Sequence, residues 1–202
     1  MTKLRVLSIF AYAMFFSGII NNGYEVGDYV TDFKLKNVDG NYISMAADKN
    51  NNGYIIVFTC NTCPWANLNE ERIIALHKKY SSKGFPVIAI QPNDPIRSPG
   101  DSFEEMKARS KKYNYPFPYV IDETQEITKA FGATNTPHVY VLNKSNNGYK
   151  VAYIGAIDDN IRDANLAKNR YVEDAVDALL KGETVPTVTT KAIGCTIKWK
   201  TT

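Results

Sequence analysis

Residues 54–64 read Tyr54-Ile55-Ile56-Val57-Phe58-Thr59-Cys60-Asn61-Thr62-Cys63-Pro64, and the order of these eleven residues decides the fold. Five apolar residues run without a break from Tyr54 to Phe58, three of them β-branched, after the loop Asn50-Asn51-Asn52-Gly53. That pattern predicts a strand buried on both faces. Pro64 suits the first turn of a helix, where the missing N–H costs little. The helix is expected to run to about Ser82, with Ile73, Leu76, His77 and Tyr80 on one face and Gly84 as its stop. Cys60 and Cys63 therefore fall at the junction of a central strand and a helix N-terminus. There the helix dipole and free N–H groups favour a thiolate, and two thiols at this spacing can close into a disulfide. The first sulfur is expected nearer solvent, as the attacking thiol, with the second resolving the mixed disulfide. A zinc half-site, a structural disulfide and two inert thiols are the alternative readings of the pair.

Working outward, Asp39-Gly40 between Phe33-Lys34-Leu35 and Tyr42-Ile43-Ser44 predicts a hairpin. Phe85 to Ile90 reads as a second buried strand. Ser102-Phe103-Glu104-Glu105 reads as a capping box that opens a helix to about Tyr113. A short strand (117–121), a short helix (123–131) stopped by Gly132, and two strands (138–142 and 149–154) about the turn Asn146-Asn147-Gly148 follow. A last helix is expected over about 169–180, with Val172, Ala175, Val176 and Leu179 as its inner stripe. The tail, Thr187 to Trp199, alternates as an edge strand or a strap. A hairpin, then strand–helix alternation, then a hairpin and a helix imply an α/β fold, a central mixed sheet flanked by helices.

The chain has 202 residues, 44% of them hydrophobic and 22% charged, and a formal net charge of +3. These values suit a globular domain with a full core and give no footing for nucleic-acid binding. Lys3 and Arg5 followed by an uncharged run from Val6 to Ile20 have the layout of a secretory signal, an uncleaved anchor being the alternative. The expected division is residues 1–20 as signal or anchor, 24–185 as the domain, and 186–202 as a tail carrying Cys195. Export brings an oxidising compartment, so the protein is expected to be secreted or periplasmic. With three cysteines, Cys60, Cys63 and Cys195, at most one bridge closes within the chain at a time.

Several motifs together carry a family resemblance: Val26-Gly27-Asp28 with Asp32-Phe33, Cys60-Asn61-Thr62-Cys63-Pro64, Thr136-Pro137, Gly155-Ala156-Ile157-Asp158-Asp159-Asn160, and Gly194-Cys195-Thr196-Ile197-Lys198-Trp199. Over roughly residues 24–199 the chain resembles the peroxiredoxin-like (redoxin) branch of the thioredoxin superfamily. The resemblance implies a thioredoxin-like fold with an N-terminal β-hairpin, a cis Pro137 facing the cysteines, and a C-terminal segment to which Cys195 belongs. It makes Cys60 and Cys63 the catalytic pair, with Thr59, Pro64 and Pro137 as supports and Cys195 as a candidate third redox thiol. The chain departs from thioredoxin itself, which has Trp before its first cysteine and Gly-Pro between the two. It departs from a peroxiredoxin too: if Cys63 is aligned with the attacking cysteine, Cys60 and Ile56 stand where the family has a hydroxyl residue and a proline.

These residues rank thiol–disulfide exchange first, a thiol peroxidase acting at Cys63 second, and a non-enzymatic metal- or partner-binding module third. The expected partners are protein thiols and disulfides or small thiols, with peroxide as the second reading's substrate. No cofactor, nucleic acid or lasting membrane span is expected. His138, next to Pro137, is read either as a packed histidine or as an imidazolium near the sulfurs. Asp158-Asp159-Asn160 is read as a helix cap rather than a metal loop.

Overall fold

The computed structural model describes residues 23–201, so the segment read as an export signal lies outside the described residues. Ten strands and four helices follow in chain order. They are β1 (Tyr29–Val30), β2 (Leu35–Asn37), β3 (Tyr42–Ile43), β4 (Gly53–Phe58), α1 (Pro64–Tyr80), β5 (Val87–Gln91), α2 (Phe103–Tyr113), β6 (Tyr119–Ile121), α3 (Glu126–Phe131), β7 (Asn135–Thr136), β8 (His138–Ser145), β9 (Gly148–Gly155), α4 (Tyr171–Lys181) and β10 (Cys195–Thr196). Eight of the strands form one mixed sheet in the order β1-β9-β8-β4-β5-β6-β2-β3.

At the centre of that sheet β4 runs parallel to β5 and antiparallel to β8, and all six of its residues are buried. Alternation along the strand divides the core. Ile55 and Val57 join Ile73 and Leu76 of α1, Met106 of α2 and Val172 and Val176 of α4 on one face. Ile56 and Phe58 join Phe131 of α3, Tyr140 and Leu142 of β8, and the N-terminal residues Val30, Phe33 and Leu35 on the other. Burying one such side chain contributes about 1.5–3 kcal/mol, which fixes β4 in register and its C-terminal end at one edge of the core. The expected hairpin is β2–β3, with Leu35 opposite Ile43.

α1 ends in a short 3-10 turn, and Gly84 leaves it at φ +85° as a left-handed cap. The capping box at Ser102 does not form. Ser102 is the N-cap of α2, but its side chain makes no cap hydrogen bond. The tail is a strap rather than an edge strand of the main sheet. Among the described residues it pairs with the main sheet at a single bridge, Thr189 with Ile154 of β9, and forms a two-residue ladder in which Cys195 of β10 faces Thr136 of β7. Among the polar contacts that fasten it are Asp94 N–H to Lys198 O (2.8 Å), Lys198 N–H to Asn93 Oδ1 (2.8 Å), Lys200 N–H to Gln125 Oε1 (2.8 Å) and Ile197 N–H to Thr134 O (3.2 Å).

Candidate redox site

The C-terminal end of β4, the first turn of α1, the β7–β8 junction and the strap converge on three sulfurs. Cys63 is the N-cap of the 17-residue helix α1, and Pro64 opens its first turn as expected. Thr59, at the end of β4, is buried and donates its N–H to Ile90 O (2.9 Å), which keeps this edge zipped to β5. The Thr136–Pro137 peptide bond is cis. Its Thr136 serves both cysteines: Oγ1 lies 3.2 Å from Cys60 Sγ, and the carbonyl oxygen lies 3.1 Å from Cys63 Sγ. Cys60, Cys63 and Ala66 form one buried cluster, against which Trp65 and Cys195 pack.

Pairing and exposure differ from what the spacing suggests. The structure bridges Cys63 to Cys195, with Cα atoms 5.9 Å apart, and leaves Cys60 as a free thiol. The Cys195 N–H also points at Cys63 Sγ (3.4 Å). Cys60 is 4% exposed and Cys63 2% exposed, while Cys195 is half-buried. The outermost sulfur is therefore Cys195, not Cys60, because the strap covers the mouth of α1. Gly194 makes that approach possible: a Cβ there would sit 2.1 Å from Thr136 O. Behind Cys60 lies a space of only about 10 Å³, walled by Thr59, Glu70 and Tyr115, too small for a partner. In front, beside Pro137 and Ile193, opens a groove of about 470 Å³ whose rim includes Arg162 and Lys191.

The helix-dipole argument for a reactive Cys60 also needs correction. Burial first, and the nearby Asp101 charge second, push the Cys60 thiol up, although the Thr136 hydroxyl and backbone N–H groups pull the other way. Cys63, not Cys60, occupies the N-cap itself. His138 gives no imidazolium. It is 8% exposed, packs against Tyr140 with ring centroids 4.9 Å apart and the planes tilted by 38°, and accepts the Thr134 N–H at Nδ1 (3.4 Å). Burial holds its pKa down at about 4, so the ring is neutral near neutral pH.

The two residues between the cysteines are more tightly held than their sequence suggests. Asn61 donates its N–H to Asp101 Oδ1 (2.7 Å) and its amide to Gly100 O (2.9 Å). It accepts the Tyr119 hydroxyl at Oδ1 (3.0 Å) and Arg109 at its carbonyl (3.3 Å). Arg109 pairs with buried Glu70 (2.6 Å), which also accepts the Tyr115 hydroxyl. Asp101, Glu70 and Arg109 escape a reading of the motif because Asp101 and Arg109 lie 40 and 48 residues from Asn61 and Glu70 lies well inside the helix. The structure buries Asn93, Asp94, Ser98 and Asp101 of the polar loop 93–101, although loop residues of that kind are normally exposed.

Asp158-Asp159-Asn160 does not cap a helix. Asp158 grips Arg72 of α1 through both oxygens (2.9 Å each), and Asp159 accepts the N–H groups of Lys168 (2.9 Å) and Asn169 (3.1 Å). The motif staples a loop beside the groove. Among the described residues no three His, Cys, Asp or Glu side chains gather as metal ligands, and no helix is long and apolar enough to cross a membrane.

Comparison with known proteins follows the same lines. The model of the AhpC/TSA family matches residues 26–154. An uncharacterized conserved protein from Geobacillus kaustophilus superposes with a TM-score of 0.82 at 36% identity, covering 90% of this chain and 95% of that one. A hypothetical protein from Sinorhizobium meliloti 1021 gives 0.80 at 32%, covering 88% and 96%. The peroxidoxin BcpB from Mycobacterium tuberculosis, at 14% identity and a TM-score of 0.57 over 78% of this chain and 96% of that one, shares the fold. Among curated proteins none matches.

Proposed function

The chain belongs to the AhpC/TSA family, in the redoxin branch of the thioredoxin superfamily, and is an oxidoreductase; from that premise we propose that it is a thiol–disulfide oxidoreductase working through Cys60 and Cys63, with Cys195 as a third thiol. One observation carries this reading: Cys195, at a sequence separation of 132 from Cys63, joins Cys60 and Cys63 at the mouth of α1, one pair bridged and the third thiol packed in the same cluster. The Cys60 thiolate attacks Cys63 Sγ, the Cys63–Cys195 bond breaks, and Cys195 leaves as a thiolate that takes up the proton given up by Cys60. No net electrons move in that step. A donor dithiol reduces the protein in its Cys63–Cys195 state: one donor thiolate attacks Cys195 Sγ, forming a mixed disulfide and releasing Cys63 as the thiol, and the donor's second thiol then closes the donor's own disulfide and frees Cys195. Two electrons and two protons pass to the protein. Entry is at Cys195, the half-buried sulfur of the three. The partners are thiols and disulfides of proteins or small molecules.

The test is a redox titration of the purified protein with disulfides mapped by mass spectrometry, alongside reduction of insulin disulfides. Expected are a two-electron couple, both Cys63–Cys195 and Cys60–Cys63 bridges along the titration, and loss of insulin reduction in Cys60→Ser and in Cys63→Ser. Turnover surviving in either variant overturns the pair. Membership of the AhpC/TSA family favours a second reading, reduction of a hydroperoxide to alcohol and water at the expense of two thiols. Peroxide consumption with a thiol donor, and a dimedone-trapped sulfenic acid at Cys63, would establish it in place of the first. We also propose export, on Lys3, Arg5 and the apolar run Val6 to Ile20; cell fractionation with N-terminal sequencing tests it.

A further inference from the structure

We propose that Asp101 is a positioning residue of the redox site, acting on Cys60 through the backbone and side chain of the two residues between the cysteines. The role rests on the thiol-exchange reading above. Asp101 is 0% exposed, and five donors aim at its two oxygens. Oδ1 accepts the N–H groups of Asn61 (2.7 Å) and Thr62 (3.1 Å). Oδ2 accepts the Thr62 hydroxyl (2.8 Å), the Asn93 amide (2.8 Å) and the Ser98 hydroxyl (2.6 Å). All five donors are neutral, so the carboxylate is solvated by the protein yet keeps its charge beside the cysteine turn.

The arrangement has a chemical consequence. Free N–H groups at a strand–helix turn are what ordinarily steady a thiolate there. Asp101 takes the Asn61 N–H, draws on that of Thr62, which also reaches Cys60, and sets a like charge near Cys60. Both effects disfavour the Cys60 thiolate in a buried site, in line with the upward push on this thiol. The other titratable groups around Cys60 do not offset this. Glu70 of α1 and Arg109 of α2 neutralise each other, the Tyr115 and Tyr119 phenols are pushed up by burial, and His138 of β8 is neutral. Cys63 stands outside this grip, at the N-cap, with the Cys195 N–H at its sulfur. The carboxylate thus separates the two cysteines: Cys60 gives up its proton reluctantly, which slows its attack, and Cys63 is the sulfur common to both bridges. A thiol that ionises reluctantly is a poor leaving group, so a Cys60–Cys63 bridge, once closed, resists reopening at Cys60.

The test follows alkylation of Cys60 by iodoacetamide across pH in the fully reduced protein, with each cysteine resolved by mass spectrometry. It needs no substrate, so it reads Asp101 even if no disulfide partner is turned over. Accessibility changes the plateau rate; ionisation changes the midpoint. In Asp101→Asn the midpoint is expected to fall, making Cys60 on the order of tenfold faster to alkylate near neutral pH for a fall of about one unit. Thr62→Val keeps the charge and removes one of the bonds that dampen it. Its midpoint is expected to rise, and it carries the test alone if Asp101→Asn does not fold. An unmoved midpoint in Asp101→Asn, or a fall in Thr62→Val, overturns the proposal.

Discussion

At the scale of single residues, the chemistry turns on how burial treats each titratable group. His138 shows this in a form that is simple to measure. Its folded pKa, about 4, lies below the ordinary 6.5 because the ring is buried. Between those values the unfolded chain binds more protons, so stability rises with pH across this window. The contribution is fully present above 6.5 and is lost as pH falls through 4, an effect of about 3 kcal/mol. His138→Phe, which keeps the packing against Tyr140, is expected to flatten stability between pH 4 and 6.5 in urea titrations. An unchanged slope in that variant would show that the acid sensitivity resides elsewhere. Cys60, Cys63, Pro137 and Cys195 were legible in the sequence because their types and spacing carry chemistry by themselves. Asp101 was not, because its role exists only once a loop folds back over 40 residues to meet the turn. His138 was legible as a position but not as a charge state, since the depth of burial is a property of the assembled sheet.

Among elements, the long ones were readable and the short ones were not. β4 announces itself by five consecutive apolar residues, and α1 by its proline start, apolar face and glycine stop. β7 and β10 have two residues each, too few for any periodicity, yet they hold Cys195 against Cys63. Their packing depends on Gly194, whose missing side chain lets the strap lie on the Thr136 carbonyl. Gly194→Ala is expected to push β10 off β7 at a cost of about 1–3 kcal/mol, the range for overpacking a tight contact. Because β4 is held between β5 and β8, the main sheet should survive. The readout is specific: slower closure of the Cys63–Cys195 bridge during oxidation of the reduced protein, with Cys60–Cys63 closing in its stead. A closure rate equal to that of the unaltered chain would mean that the strap tolerates the methyl group and that Gly194 has no part in placing Cys195.

Taken whole, the molecule joins the start of its first long helix to its C-terminal strap both covalently and by ordinary hydrogen bonds. The Cys63–Cys195 bridge closes a loop over a sequence separation of 132. The chain-entropy argument gives such a loop a stabilisation of about 5 kcal/mol, as the bridge restricts the unfolded ensemble. The hydrogen bonds from Asp94, Asn93, Gln125 and Thr134 to the strap do not involve the sulfurs. Reduction should therefore lower global stability without undocking the strap. This difference matters for exchange: a thiol that swung away on reduction would have to be found again, whereas one held by the backbone stays within reach of Cys63 in both states. Urea unfolding with and without dithiothreitol is expected to show a large fall in midpoint on reduction. Amide exchange at Ile197, Lys198 and Lys200 should stay protected in the reduced protein under native conditions. Loss of that protection together with the bridge would show that the disulfide alone holds the strap, and Cys195 would then be a mobile thiol rather than a fixed member of the site.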